Sequence, residues 1–143
     1  MKGELVSILT ADHVRLDGFY VEAASDISAE GPFDAAVISH GLGGNFYGAK
    51  LLKHIAAFLG GRGIACVLAN NRGHDLVNWS SREAKLATLG AAFEKVGECS
   101  FDVEAWTDFL TERGHSRILL AGHSLGAIKT LYSAANPTAA ADG

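Results

Sequence analysis

Three short, largely apolar runs, Phe33 to Gly41, Ile64 to Asn70 and Arg117 to Ala121, constrain this chain more than any other feature. Each is too short for a core helix, and none alternates in polarity. They predict strands buried on both faces, which parallel sheets require. Helical patterns stand between and after them. Leu51, Leu52, Ile55, Phe58 and Leu59 recur at helical spacing before a stop at Gly60, Gly61 and Gly63. Val103, Trp106, Phe109 and Leu110 line a second helix, with Ser100 as its expected N-cap and Gly114 as its end. Leu125 to Ala135 predicts a third, stopped before Pro137. Upstream, "LVSILTADHVRLDGFYVEA" holds two β-rich runs around Ala11-Asp12-His13 and predicts an antiparallel hairpin. Residues 76–98 carry mixed signals, part helix and part loop, with Trp79 and Phe93 as possible lining of a site. The expected fold is therefore α/β: a mostly parallel sheet with flanking helices and an N-terminal antiparallel hairpin.

Bulk properties narrow the function. The 143 residues suit one domain with a single core. The net charge is −4, and no Lys/Arg run forms a basic stripe, which argues against a nucleic-acid partner. No apolar run is long enough to span a bilayer, and the N-terminus lacks the features of a signal peptide, so a cytoplasmic chain without a membrane partner is expected. Cys66 and Cys99 are too few for a disulfide scaffold and are not spaced for metal. They are expected to be reduced and buried.

The third strand runs into "GHSLG", which matches G-x-S-x-G with Gly122 and Gly126 flanking Ser124. A serine on a tight strand-to-helix turn is lifted above the sheet edge. Strand and helix come so close there that side chains two residues away on either side would collide. The turn also aims the N–H of Leu125 at a developing oxyanion, and the helix dipole adds to it. The first strand ends in "SHGLGGN". This glycine-rich loop offers a second donor, the N–H of Leu42, just past His40-Gly41. A P-loop is excluded by the missing Gly-Lys-Ser/Thr. Phe46 stands where G-x-G-x-x-G needs its last glycine, which disfavours a dinucleotide loop.

"SHGLGGN" at 39–45, "NNRGHD" at 70–75 and "AGHSLGA" at 121–127, each after an expected strand, make the chain resemble the α/β-hydrolase superfamily. The resemblance covers essentially the whole chain, as the N-terminal portion of one such domain ending before the later strands: an incomplete α/β-hydrolase fold over 1–143. It implies a serine hydrolase of carboxylic esters working through an acyl-enzyme. Ser124 would be the nucleophile, Leu42 and Leu125 the oxyanion hole, and His40, Gly41, Gly122 and Gly126 the support. It implies a small-molecule ester or acyl substrate, no cofactor and no metal. It also implies that the histidine of His-Gly braces its loop and that "NNRGHD" is mainly structural. Acyltransferases and thioesterases use similar elbows.

The pattern departs from the superfamily after Ser124. The order Ser, acid, histidine finds no histidine there and one acid, Asp142. His40 and His74 end strands on the expected edge of Ser124 and are the alternative bases to test. Two explanations stand side by side. The chain is half of a domain, with "NPTAAADG" turning toward a further strand, or it is a non-catalytic binding module on the same scaffold. In the first case, strand 117–121 exposes an apolar edge and favours self-association.

Overall fold

A computed structural model describes residues 2–29, 31–82 and 85–138. Asp142 and most of the Ala-rich tail therefore lie outside the described residues. The hairpin is present: β1 (Gly3–Leu9) pairs antiparallel with β2 (Arg15–Val21). The three apolar runs form β3 (Ala35–Ser39), β4 (Ala65–Ala69) and β7 (Ile118–Gly122). With the hairpin they make one five-stranded sheet in the order β1-β2-β4-β3-β7. β3 is parallel to both neighbours, and β2 joins the sheet antiparallel to β4.

Strand order decides where the helices lie. The path from β3 to β4 steps toward the hairpin, whereas the path from β4 to β7 crosses back over β3. Right-handed crossovers in opposite directions place their helices on opposite faces. Accordingly α1 (Lys50–Gly60) buries Leu52 and Ala56 against Ile38, Cys66 and Leu68. α2 (Cys99–Glu112) buries Trp106 and Leu110 against Val37, Val67 and Leu16 on the other face. α3 (Leu125–Ala135) packs beside α2. Side chains alternate across β3 and β4, Val37 and Val67 to one layer, Ile38 and Leu68 to the other. This is why β4 is apolar throughout and β3 is apolar up to its last residue, Ser39.

Three expectations need correction. Ser100 does not cap α2. The helix begins at Cys99, and the Ser100 hydroxyl instead donates to the Asn136 carbonyl at 2.9 Å, tying α2 to the end of α3. The stripe on α1 is narrower than its apolar residues suggest: Leu52 and Ala56 are inside, while Leu51 and Phe58 are exposed. Phe58 is covered instead by the Arg62 guanidinium, 3.5 Å from the ring centroid. Finally, the mixed segment is mainly a second hairpin, β5 (Asn78–Arg82) with β6 (Lys85–Leu89), followed by a 3-10 turn at Val96–Glu98. Trp79 and Phe93 are both exposed there.

Both cysteines are free and buried, and burial pushes the Cys66 thiol up to about 12. Among the described residues no helix is long and apolar enough to cross a membrane, and no cluster of metal-ligating side chains forms.

Candidate active site

The loop after β3 runs to α1 on one face of the sheet, and the loop after β7 runs to α3 on the other. The adjacent carboxyl ends of β3 and β7 thus diverge and leave a crevice, the usual place for a ligand in an open α/β sheet. A cleft of about 340 Å³ lies there, lined by His40, Gly41, Leu42, His123 and Ser124 and walled by Leu51 and Leu52 of α1.

Ser124 links β7 to α3 with φ 55° and ψ −126°. That is a sterically costly backbone for a residue with a side chain, about 1–3 kcal/mol, and it persists only where its surroundings enforce it. The flanking glycines show what enforces it. A Cβ on Gly122 would lie 2.4 Å from the Gly126 carbonyl carbon and oxygen. A Cβ on Gly126 would lie 2.4 Å from the His40 carbonyl oxygen. Strand, helix and the His-Gly loop are in backbone contact around the serine. Gly41 completes the contact: a Cβ there would come within 3.1 Å of the Ser124 Cβ. The His123 N–H donates to the Ser39 carbonyl at 3.1 Å, extending the β3–β7 pairing to the turn itself.

The His-Gly loop closes as a β-turn, with the Gly44 N–H donating to the Gly41 carbonyl at 3.0 Å. Gly43 supplies the positive φ of 60° that this turn needs at its third position. Leu42, at the second position, has an exposed side chain. Among the described residues neither the Leu42 nor the Leu125 N–H has an intramolecular acceptor; Leu42 lies in the His-Gly loop bordering Ser124, and Leu125 opens α3 directly after it.

His40 is buried to 1% exposure. Its Nδ1–H donates to the Gly41 carbonyl at 2.8 Å, which leaves Nε2 to accept the Asn71 N–H at 3.4 Å. Burial, with the nearby Lys129 charge adding to it, pushes the imidazole down to about 4, so the ring is neutral at pH 7. Both ring nitrogens are engaged in holding the loop. His40 therefore braces the turn, and neither nitrogen is available to a substrate or to Ser124. The second alternative base is not beside the serine either. His74 follows β4, on the far side of β3 from β7. Its ring meets the Asp75 carboxylate at 2.9 Å in a separate cleft shared with Ser7, Arg15 and Asp17 of the hairpin. Among the described residues no side chain is hydrogen bonded to the Ser124 hydroxyl.

"NNRGHD" is a structural hub. Arg72, 1% exposed, donates to Asp102 at 2.8 and 3.0 Å, to Asp12 at 2.9 Å and to Glu98 at 2.8 Å. Burial disfavours its charge, but the Asp12 and Asp102 carboxylates more than offset this and hold the guanidinium protonated. One side chain thus ties the β1–β2 turn, the β4 loop and α2 together. Asp75 collects the next set of bonds, from Asn45 at 2.6 Å and from the Tyr47 hydroxyl. These hydrogen bonds hold its carboxyl below the usual carboxylate range against the opposing effect of burial.

Sequence reasoning missed one cluster altogether. Lys129 of α3 is 2% exposed, and its Nζ lies 3.0 Å from Asn71 Oδ1 and 2.5 Å from Glu94 Oε2. Gly73 admits the carboxylate, since a Cβ there would sit 1.7 Å from Glu94 Oε2. Asn71 Nδ2 and Glu94 Oε1 are buried without a protein partner among the described residues. The signal was present in the spacing: Gly126, Lys129, Thr130 and Ser133 form the buried stripe of α3, while Ile128 and Leu131 face outward. A reading that puts apolar residues inside reverses that helix.

The fold is shared with solved structures of α/β-hydrolases and esterases. The Penicillium α/β hydrolase GrgF is 23% identical with a TM-score of 0.70, over 95% of this chain and 42% of its own. A lidless serine hydrolase from Xanthomonas campestris, XC6422, is 22% identical with a TM-score of 0.70, over 94% of this chain and 56% of its own. The Pyrococcus furiosus esterase Pf2001 is 18% identical with a TM-score of 0.68, over 96% and 48%. This chain therefore spans about half the length of the structures it resembles. No family model matches the sequence, and no curated protein matches it.

Proposed function

We propose, from this α/β-hydrolase scaffold, that the chain carries the nucleophile and oxyanion side of a serine active site acting on carboxylic esters. The observation that carries the proposal is the backbone of Ser124, held at φ 55° between two glycines that tolerate no side chain. Such strain is retained where a hydroxyl must stand clear of the sheet. The Ser124 Oγ attacks the ester carbonyl carbon and gives up its proton to a general base. The carbonyl oxygen becomes negative between the N–H groups of Leu42 and Leu125. The alcohol leaves with a proton, and water then releases the acid from the acyl-serine. Among the described residues no side chain is bonded to the Ser124 hydroxyl: His40 is committed to its loop and His74 lies in another cleft. Leu42, Leu51 and Leu52 make an apolar wall suited to the acyl chain of a small ester.

A second reading has its own support. With no side chain among the described residues bonded to the Ser124 hydroxyl, the scaffold could bind a ligand in the crevice without turning it over. A fluorophosphonate probe separates the two. Time-dependent covalent labelling that Ser124→Ala abolishes supports the hydrolase reading, and reversible binding without labelling supports the other. Leu42→Pro sharpens the test. Proline suits the second position of this turn and removes the N–H together with the leucine side chain, so Leu42→Ala, which keeps the N–H, is the control. Labelling should fall by about 10²–10³-fold with the fold intact, the usual cost of one oxyanion donor.

A further inference from the structure

We infer that Lys129 is a positioning residue that locks the His-Gly loop to the serine helix through Asn71 and His40. The inference rests on the reading of Ser124 and the Leu42 and Leu125 N–H groups given above, and concerns what keeps the two donors in one register. The path is continuous. Lys129 Nζ, one and a half turns along α3 from Ser124, lies 3.0 Å from Asn71 Oδ1. The Asn71 N–H points at His40 Nε2 at 3.4 Å, and the opposite nitrogen of that ring holds the Gly41 carbonyl at 2.8 Å. The same carbonyl accepts the Gly44 N–H and closes the turn that presents Leu42. Moving Lys129 therefore moves Asn71, then the ring, then the turn.

Stability alone does not account for this cluster. A buried Lys–Glu pair is often matched or bettered by apolar groups of the same volume. Here the pair also leaves Asn71 Nδ2 and Glu94 Oε1 without protein partners, an arrangement that costs free energy. Gly73 is a glycine at the position where any Cβ would strike the Glu94 carboxylate. A fold selected for stability alone would fill this space with leucine. Buried polar pairs are best attested as devices that fix register, and this one spans the two loops whose spacing sets the oxyanion site.

The test uses two variants. Lys129→Met alone strands the Glu94 charge and is expected to unfold readily. Lys129→Met with Glu94→Gln removes both charges together and keeps the volume. The thermal midpoint of the double variant should stay near that of the parent. Amide hydrogen exchange at Gly44 and Asn71, whose N–H groups are bonded along this path, should nevertheless quicken about tenfold, the effect of losing one stabilising contact on local opening. Amides of β3 and β4 should be unchanged, and fluorophosphonate labelling should slow. Ser133→Ala, one turn further along the same buried stripe, should leave loop exchange at the parent rate. Unchanged loop exchange in the double variant overturns the inference, as does an equal increase in Ser133→Ala. Failure of the parent chain to label counts against the hydrolase reading, and loop exchange still decides the role of Lys129.

Discussion

Two residues without a role in bond making set the geometry around Ser124. Gly126 lies against the carbonyls of Ser39 and His40, so Gly126→Ala drives a methyl into backbone that cannot move aside. The expected cost is more than ~3 kcal/mol in urea denaturation, at the upper end for a point change. Gly114, with φ +90° and nothing within 4 Å of a built Cβ, is the contrast. There alanine should cost only about 1 kcal/mol, the price of its backbone conformation. His40 makes a different prediction. Its folded pKa, about 4, lies below the ordinary value of 6.5, so the unfolded chain binds the proton more readily between those values. The stability His40 contributes is therefore complete above pH 6.5 and drains away as pH falls to about 4. At roughly 1.4 kcal/mol per unit, the whole loss is about 3 kcal/mol. Urea midpoints measured from pH 7 to 4 should fall accordingly, and His40→Gln should flatten that slope.

At the scale of elements, the sequence disclosed whatever is packed on both sides. β3, β4 and β7 are five residues each, fully or half buried, and their uninterrupted apolar runs could be little else. The elbow was legible for the same reason, because Gly122 and Gly126 are forced by contacts within a few residues. The β5–β6 hairpin was not. Asn78 and Leu89 face inward while Trp79 and Leu86 are exposed, so polarity does not alternate with the pleat. For the hub of Arg72 and for Lys129, whose burial left a trace in the spacing of α3, it was the partners that were illegible. Those partners come from positions 12, 94, 98 and 102, and only the closed fold brings them together. Ser100 looked like a cap by position, but its hydroxyl found a stronger use at Asn136.

Over the whole molecule, the sheet has two edges of different character. β1 forms one edge and carries charged and polar side chains, with Glu4 and Ser7 among them. β7 forms the other, paired only with β3 among the described residues and flanked by exposed Ile128 and Leu131 on α3. A strand with unpaired backbone groups beside an apolar helix face is a template for another strand. The chain is therefore expected to self-associate with rising concentration in sedimentation velocity, and Leu131→Glu should weaken that association. A single monomer boundary at all concentrations would contradict it.

The contact of Gly126 with the His40 carbonyl has one more consequence. Backbone touches backbone there, with no side chain between to change rotamer. The serine turn and the His40 carbonyl are thus held at one spacing by backbone alone, which leaves the turn from Gly41 to Gly44 as the part that can open. Warming the protein can loosen the surface hairpin or the ends of the helices while this spacing holds. That contact gives way only when the carboxyl ends of β3 and β7 part, so the elbow outlasts any opening of the turn beyond it.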